Sequence, residues 1–133
     1  MDLSFQKLEK LKHKKLIEQL FKEGKFVSKF PLRLVYLQLN HGGDKPLQTG
    51  FSVPKRNFKH AVDRNLLKRR MREAYRLNKE EVYKEINKTY ILMFIYLDKN
   101  IQPSDVIHPK MEQLLQSFIK TINYTIRKTN LFK

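Results

Sequence analysis

Nine basic side chains crowd into residues 55–76 (Lys55, Arg56, Lys59, Arg64, Lys68, Arg69, Arg70, Arg72 and Arg76) against only Asp63 and Glu73. That stretch carries a net +7, close to half of the whole chain's +15. The chemistry open to such a cluster is recognition of a polyanion. A guanidinium plane forks onto two phosphate oxygens or stacks on a base, while an ammonium group acts as a point charge. So large an excess favours nucleic acid over an acidic membrane surface.

Spacing sharpens this. At helical periodicity Asn65, Lys68, Arg69, Arg72 and Arg76 share an arc of roughly 100°, with Leu66, Leu67, Ala74 and Leu77 opposite. Arg64 and Met71 lie at the edges, and Arg70 fits neither face. Like charges one turn apart cost a few tenths of a kcal/mol each, and an external polyanion removes that cost. The central arc holds no acid; Glu73 flanks it within reach of Arg69, Arg70 or Arg76. Asn65 supplies a neutral donor and acceptor, suited to a phosphate, a 2′-hydroxyl or a metal-bound water. It serves equally to hold the start of the helix.

Catalytic groups are not in view. His13, His41, His60 and His108 stand singly, without metal-ligand spacing, and cysteine is absent. No paired carboxylates, nucleophile elbow or glycine-rich phosphate loop occurs. The expectation is a binder with no metal held by its own side chains; if it serves an enzyme, another component carries the catalysis.

The elements that must position these groups follow from periodicity. Leu8, Leu11, Leu16, Ile17, Leu20 and Phe21 predict an amphipathic helix over residues 8–21, stopped at Gly24. A strand is expected over 32–39, with Leu32, Leu34 and Tyr36 on one face and Arg33, Val35 and Leu37 on the other. There is room for an extra short strand near Phe26-Val27. Turn chemistry at His41-Gly42-Gly43-Asp44-Lys45 precedes a strand over 47–53, and these two strands read as an antiparallel hairpin. Leu47, Thr49, Phe51 and Val53 share one face of the second strand; Gln48, Gly50 and Ser52 share the other.

The central helix is expected over 58–77, with 80–86 either extending it or forming a separate turn. Thr89 to Leu97 reads as a buried strand. A last helix begins between Ser104 and Pro109, its stripe formed by Met111, Leu114, Leu115, Phe118, Ile122 and Ile126, with His108-Pro109 in its first turn. The order is α-β-β-(β)-α-β-α: one α+β domain over residues 1–133. The 133-residue length and 41% hydrophobic content suit a single core. No apolar run approaches the ~20 residues that span a bilayer, and the lysine-studded amino terminus lacks the stretch of a signal peptide. A cytoplasmic protein without a membrane partner is expected.

The run from Lys55 to Arg76 resembles the motif of the bacterial ribonuclease P protein component. Its Arg-Asn pair is Arg64-Asn65, its Lys-Arg pair Lys68-Arg69 and its Arg-Glu pair Arg72-Glu73. Leu66 departs from the pattern, which has arginine there. Phe21-Lys22-Glu23-Gly24 also looks like the end of that family's first helix, with Ile17 where an aromatic often stands. The resemblance implies an α/β sandwich with a left-handed β-α-β crossover around the central helix. It implies a partner as well: a large catalytic RNA that removes the 5′ leader of precursor tRNA with Mg2+ held mainly by RNA, and no obligatory protein partner. Carried onto this sequence, Arg64, Asn65, Lys68, Arg69, Arg72 and Arg76 would face the catalytic RNA. Lys55, Arg56 and Lys59 would add phosphate contacts. The leader would follow a cleft touching Ile17, Phe21, Arg33, Val35 and Ser52, with the small Gly50/Ser52 face admitting the strand closely. The competing expectations are a stand-alone RNA-binding or ribosomal protein and a helix-based DNA-binding protein.

Overall fold

The computed structural model describes residues 9–43 and 45–131, with side chains described as far as Tyr124. Elements run α1 (Lys14–Glu23), β1 (Lys25–Lys29), β2 (Leu32–Gln38), β3 (Leu47–Ser52), α2 (Ala61–Glu85), β4 (Tyr90–Tyr96) and α3 (Ser104–Leu131). The short strand expected near Phe26-Val27 is β1, and α2 is one helix through Glu85.

The four strands lie side by side in the order β1-β2-β4-β3. β2 pairs antiparallel with β1 and β4, whereas β3 runs parallel to β4. The antiparallel hairpin expected of β2 and β3 is therefore incorrect: β4 lies between them. The reason is visible in composition. Tyr90–Tyr96 is apolar on both faces and gains most from the central slot, where helices and chain cover both sides. β3, with Gln48, Gly50 and Ser52 on one face, tolerates an edge. Its return to β4 runs through α2, which makes β3-α2-β4 the crossover unit of the fold.

One sheet face carries the larger core. Leu32, Leu34, Tyr36, Leu47, Leu92 and Phe94 pack there against Leu67, Met71, Ala74 and Val82 of α2 and Met111, Leu114 and Phe118 of α3. The apolar stripe expected of α3 is thus buried, except that Ile126 lies outside the described side chains. Pro109 falls in the second helical turn rather than the first, where it is exposed. The opposite face holds a smaller cluster of Leu11, Leu20, Val35, Ile91 and Met93, covered by α1.

Two expectations about the amino-terminal region change. The helix begins at Lys14, not residue 8; Leu8 lies outside the described residues. Leu11 instead belongs to an extended segment along the free edge of β3, where Lys10 bridges Thr49 in parallel and the Leu11 N–H donates to the Thr49 carbonyl at 2.9 Å. This segment shields an edge that would otherwise present unpaired backbone groups. It also delivers Glu9 to the flank of α2, where Lys79 Nζ lies 2.8 and 2.9 Å from its two carboxylate oxygens. In the turn after β2, Gly42 has a φ of 74°, so one of the paired glycines uses the left-handed region.

Candidate nucleic-acid interface

Helix α2 is amphipathic as expected, but it is rolled. Its buried residues are Leu67, Met71, Ala74, Tyr75, Lys79 and Val82, an arc centred near Met71. This lies about 90° around the helix from the midpoint of Leu66, Leu67, Ala74 and Leu77. Leu77 is consequently exposed and Leu66 only half-buried. Tyr75 takes a core position because its ring packs on Phe51 and Phe94 while its hydroxyl accepts a hydrogen bond from Thr49 Oγ1 at 3.1 Å.

The roll leaves the cationic residues on the outer face, and their surroundings sort them. Asn65, Arg69 and Arg72 are exposed and Lys68 is half-buried. Among the described residues no carboxylate pairs with Lys68, Arg69 or Arg72. Arg72 leans over the Phe51 ring, 5.9 Å from its centroid, which aims one guanidinium at the β3 edge. Arg76 is engaged by Glu73 one turn earlier through its Nε at 3.0 Å and through Nη2. That contact holds the Glu73 carboxyl below the usual carboxylate range. The pair is exposed, where such bridges contribute little to stability, so its effect is to orient Arg76.

Arg64 does different work. Its Nη1 donates to the carbonyls of Phe58 and Lys59 at 2.8 and 2.9 Å, tying the loop before α2 back onto the first turn. No side chain caps that helix start, since His60 occupies the N-cap position without a capping bond. Phe58, buried against Tyr96, anchors the same loop. Lys55, Arg56 and Lys59 are thereby presented as exposed cations on a short anchored segment beside the helical row.

Arg70, which fits neither face of the helical wheel, has a definite role. Its Nη1 donates to the Gln102 carbonyl at 2.7 Å, pinning the loop between β4 and α3. The Tyr96 hydroxyl closes the same loop, accepting from the Gln102 N–H at 2.9 Å and donating to the Asn100 carbonyl at 2.5 Å. Arg70→Ala is expected to lower stability by about 1–2 kcal/mol, seen as a lower urea midpoint, because a charged donor is lost from a half-buried carbonyl. A midpoint that did not move would contradict this role.

On the opposite sheet face, the residues expected to form a cleft separate into two groups. Val35 is buried under α1, so the direct leader contact expected of it is not offered to solvent. Phe21 is 52% exposed on the outer side of α1; Ile17 is half-buried among the small core. Register places Ser28, Arg33, Ile95 and Ser52 in one row straight across the sheet. Arg33 lies back over β1, its Nε donating to Ser28 Oγ at 3.0 Å and its guanidinium 4.5 Å above the Phe26 ring. Phe26, absent from the residues predicted from sequence, is 60% exposed. Its position opposite Val35 in an edge strand was recoverable only with the register of β1. The close approach expected at Gly50 is already taken by the chain itself. A Cβ at that position would sit 2.8 Å from Met93 Cε and 3.7 Å from the Leu11 Cβ.

Among the described residues no three His, Asp or Glu side chains gather in a way that fits a metal ion. No described helix is long and apolar enough to cross a membrane.

A cationic helix face, free of internal carboxylates at its centre and backed by a mixed sheet, gives an α+β module whose charge is suited to a polyanion. Residues 5–123 match the profile of the family described as Ribonuclease P, and the chain belongs to that family. The ribonuclease P protein component of Chlorobium phaeobacteroides is 40% identical over 83 residues, covering 60% of this chain and 57% of that one. For Porphyromonas gingivalis the figures are 42% over 73 residues, 55% and 53%. The chain thus spans little more than half the length of these curated relatives. Among solved structures, the RNase P protein from Thermotoga maritima shares the fold with a TM-score of 0.65 at 24% identity, over 82% of this chain and 96% of that one. The Staphylococcus aureus RNase P protein gives 0.63 at 20% identity, over 81% and 93%.

Proposed function

We propose that this chain is the protein subunit of a ribonuclease P, assisting a catalytic RNA that removes the 5′ leader of precursor tRNA in the cytoplasm. The observation that carries this is the α2 row: Arg69 and Arg72 stand exposed on the outer face with half-buried Lys68 at its edge, none with a carboxylate partner among the described residues. Such a row gains most from the phosphates of a structured RNA, where each neutralised phosphate releases counterions. Asn65 and the oriented Arg76 extend the face, and Arg64 holds the first turn in place. Lys55, Arg56 and Lys59 contact phosphates just before the helix. Hydrolysis belongs to the RNA and its Mg2+ ions; the protein strengthens substrate and metal-ion affinity by lowering repulsion between RNA backbones.

The leader runs over the open half of the other sheet face. Phe21 and Ile17 are its α1 wall and Arg33 and Ser52 its polar contacts, while Val35, covered by α1, supports that wall from below. The exposed Phe26 ring beside Arg33 gives an unpaired base a stacking surface.

The test is reconstitution with the ribonuclease P RNA of the same source at low magnesium. Addition of the protein is expected to restore cleavage at the mature 5′ end, and Arg33→Ala is expected to erase the affinity gained from a longer leader. Absence of any stimulation would overturn the assignment; leader dependence surviving Arg33→Ala would overturn the path of the leader.

A further inference from the structure

The roll of α2 has a consequence for the outer face. Val62 is 78% exposed and Leu66 is half-buried, and with the buried arc turned toward Met71 both border the cationic arc on its Arg69 side instead of packing on the sheet. With Asn65, Arg69 and Arg72 they line a shallow, open hollow on the helix surface. Phosphates alone would be served by a further cation at position 66. An aliphatic pair at this place fits a flat apolar surface flanked by negative charge.

Building on the reading of α2 as an RNA-facing helix, we propose that this hollow receives one unstacked nucleobase of the bound RNA. The base lies against Val62 and Leu66, and Arg69 and Arg72 hold the phosphates on either side. Charge complementarity selects the occupant, because the rim carries two guanidinium groups with no carboxylate partner among the described residues. Arg69 and Arg72 are about 4.5 Å apart along the helix axis, and their long side chains adjust that separation to successive phosphates of a single strand. Asn65 offers both a donor and an acceptor, which a base edge uses and a phosphate uses only in part. The contact therefore requires a base free of its stack, as loops and bulges supply and continuous duplex does not.

The test uses a single-stranded RNA of about twelve nucleotides with 2-aminopurine near its middle, and the same sequence as a full duplex. Wild-type protein is expected to change the 2-aminopurine fluorescence of the single strand. Val62→Ala and Leu66→Ala are expected to weaken single-strand binding about fivefold, with duplex binding kept within about twofold. Leu66→Arg is expected to abolish the fluorescence response while steepening the salt dependence by about one unit, which separates a filled hollow from a damaged fold. The proposal is overturned if these variants leave fluorescence and single-strand affinity unchanged while Arg69→Ala weakens both probes; the row would then bind RNA without the hollow. If Arg69→Ala weakens neither probe, the RNA-facing reading of α2 fails as well. A wild-type dimer that Val62→Asp dissolves in sedimentation would overturn the proposal in favour of contact between copies.

Discussion

Lys79→Ala is expected to destabilise the protein by about 3–5 kcal/mol, the largest stability loss foreseen for a single charged residue in this chain. Lys79 is 1% exposed and Glu9 2%, and their ion pair joins the amino-terminal segment to α2. Removing the ammonium takes the counter-charge away from a buried carboxylate, which also accepts a hydrogen bond from the Tyr83 hydroxyl at 2.9 Å. Replacing both partners, as Lys79→Met with Glu9→Leu, removes the buried charges together and is expected to recover most of the loss. Urea unfolding of the two single variants and the double variant measures the difference. Additive losses would contradict a coupled pair.

The same site gives stability a sign with pH. Burial, then the neighbouring Tyr75, then Glu9 push the Tyr83 hydroxyl far above the ordinary tyrosine range. Burial does the same to Tyr75. The folded state therefore keeps protons that the unfolded chain releases near pH 10, so stability is present below that pH and falls as pH rises above it.

Arg69→Ala combined with Arg72→Ala is expected to give the largest loss of RNA affinity. Two phosphate contacts removed should flatten the slope of log K against log salt by about 1.4–1.8 units, and cost roughly 10–100-fold at low salt. Arg76→Ala should cost less, since the Arg76 guanidinium is already engaged by Glu73 and is less available to a phosphate. Filter binding across a salt series with the co-purifying RNA measures both. A double variant with an unchanged slope would mean that the row does not touch phosphate.

Much of this was legible in the amino-acid sequence, and the exceptions have physical causes. β4 was recognisable because Tyr90–Tyr96 is apolar on both faces, yet its insertion between β2 and β3 depends on competition among strands for the central slot. The amphipathicity of α2 was plain, but its roll was not. Lys79 and Tyr75 look like surface residues until Glu9, 70 residues earlier in the chain, and Thr49 satisfy their polar atoms. With those two counted as polar, the apolar midpoint shifts toward Leu66 and Leu77, which the structure leaves outside the core. Leu11 fitted the helical stripe by spacing and was claimed instead by the edge of β3. The cationic face itself could be read directly, because like charges at helical spacing need no distant partner to reveal them. The separate duties of Arg64 and Arg70 could not, since both donate to backbone carbonyls in loops.

The chain contains no cysteine, so a single introduced thiol can carry a hydroxyl-radical source to a chosen position. With the source at Arg69→Cys, the co-purifying RNA is expected to be cut in one short backbone tract. From Gln116→Cys, on the exposed side of α3, that tract should remain intact. Equal cutting from both positions, or cutting from α3 alone, would contradict an RNA backbone seated along α2.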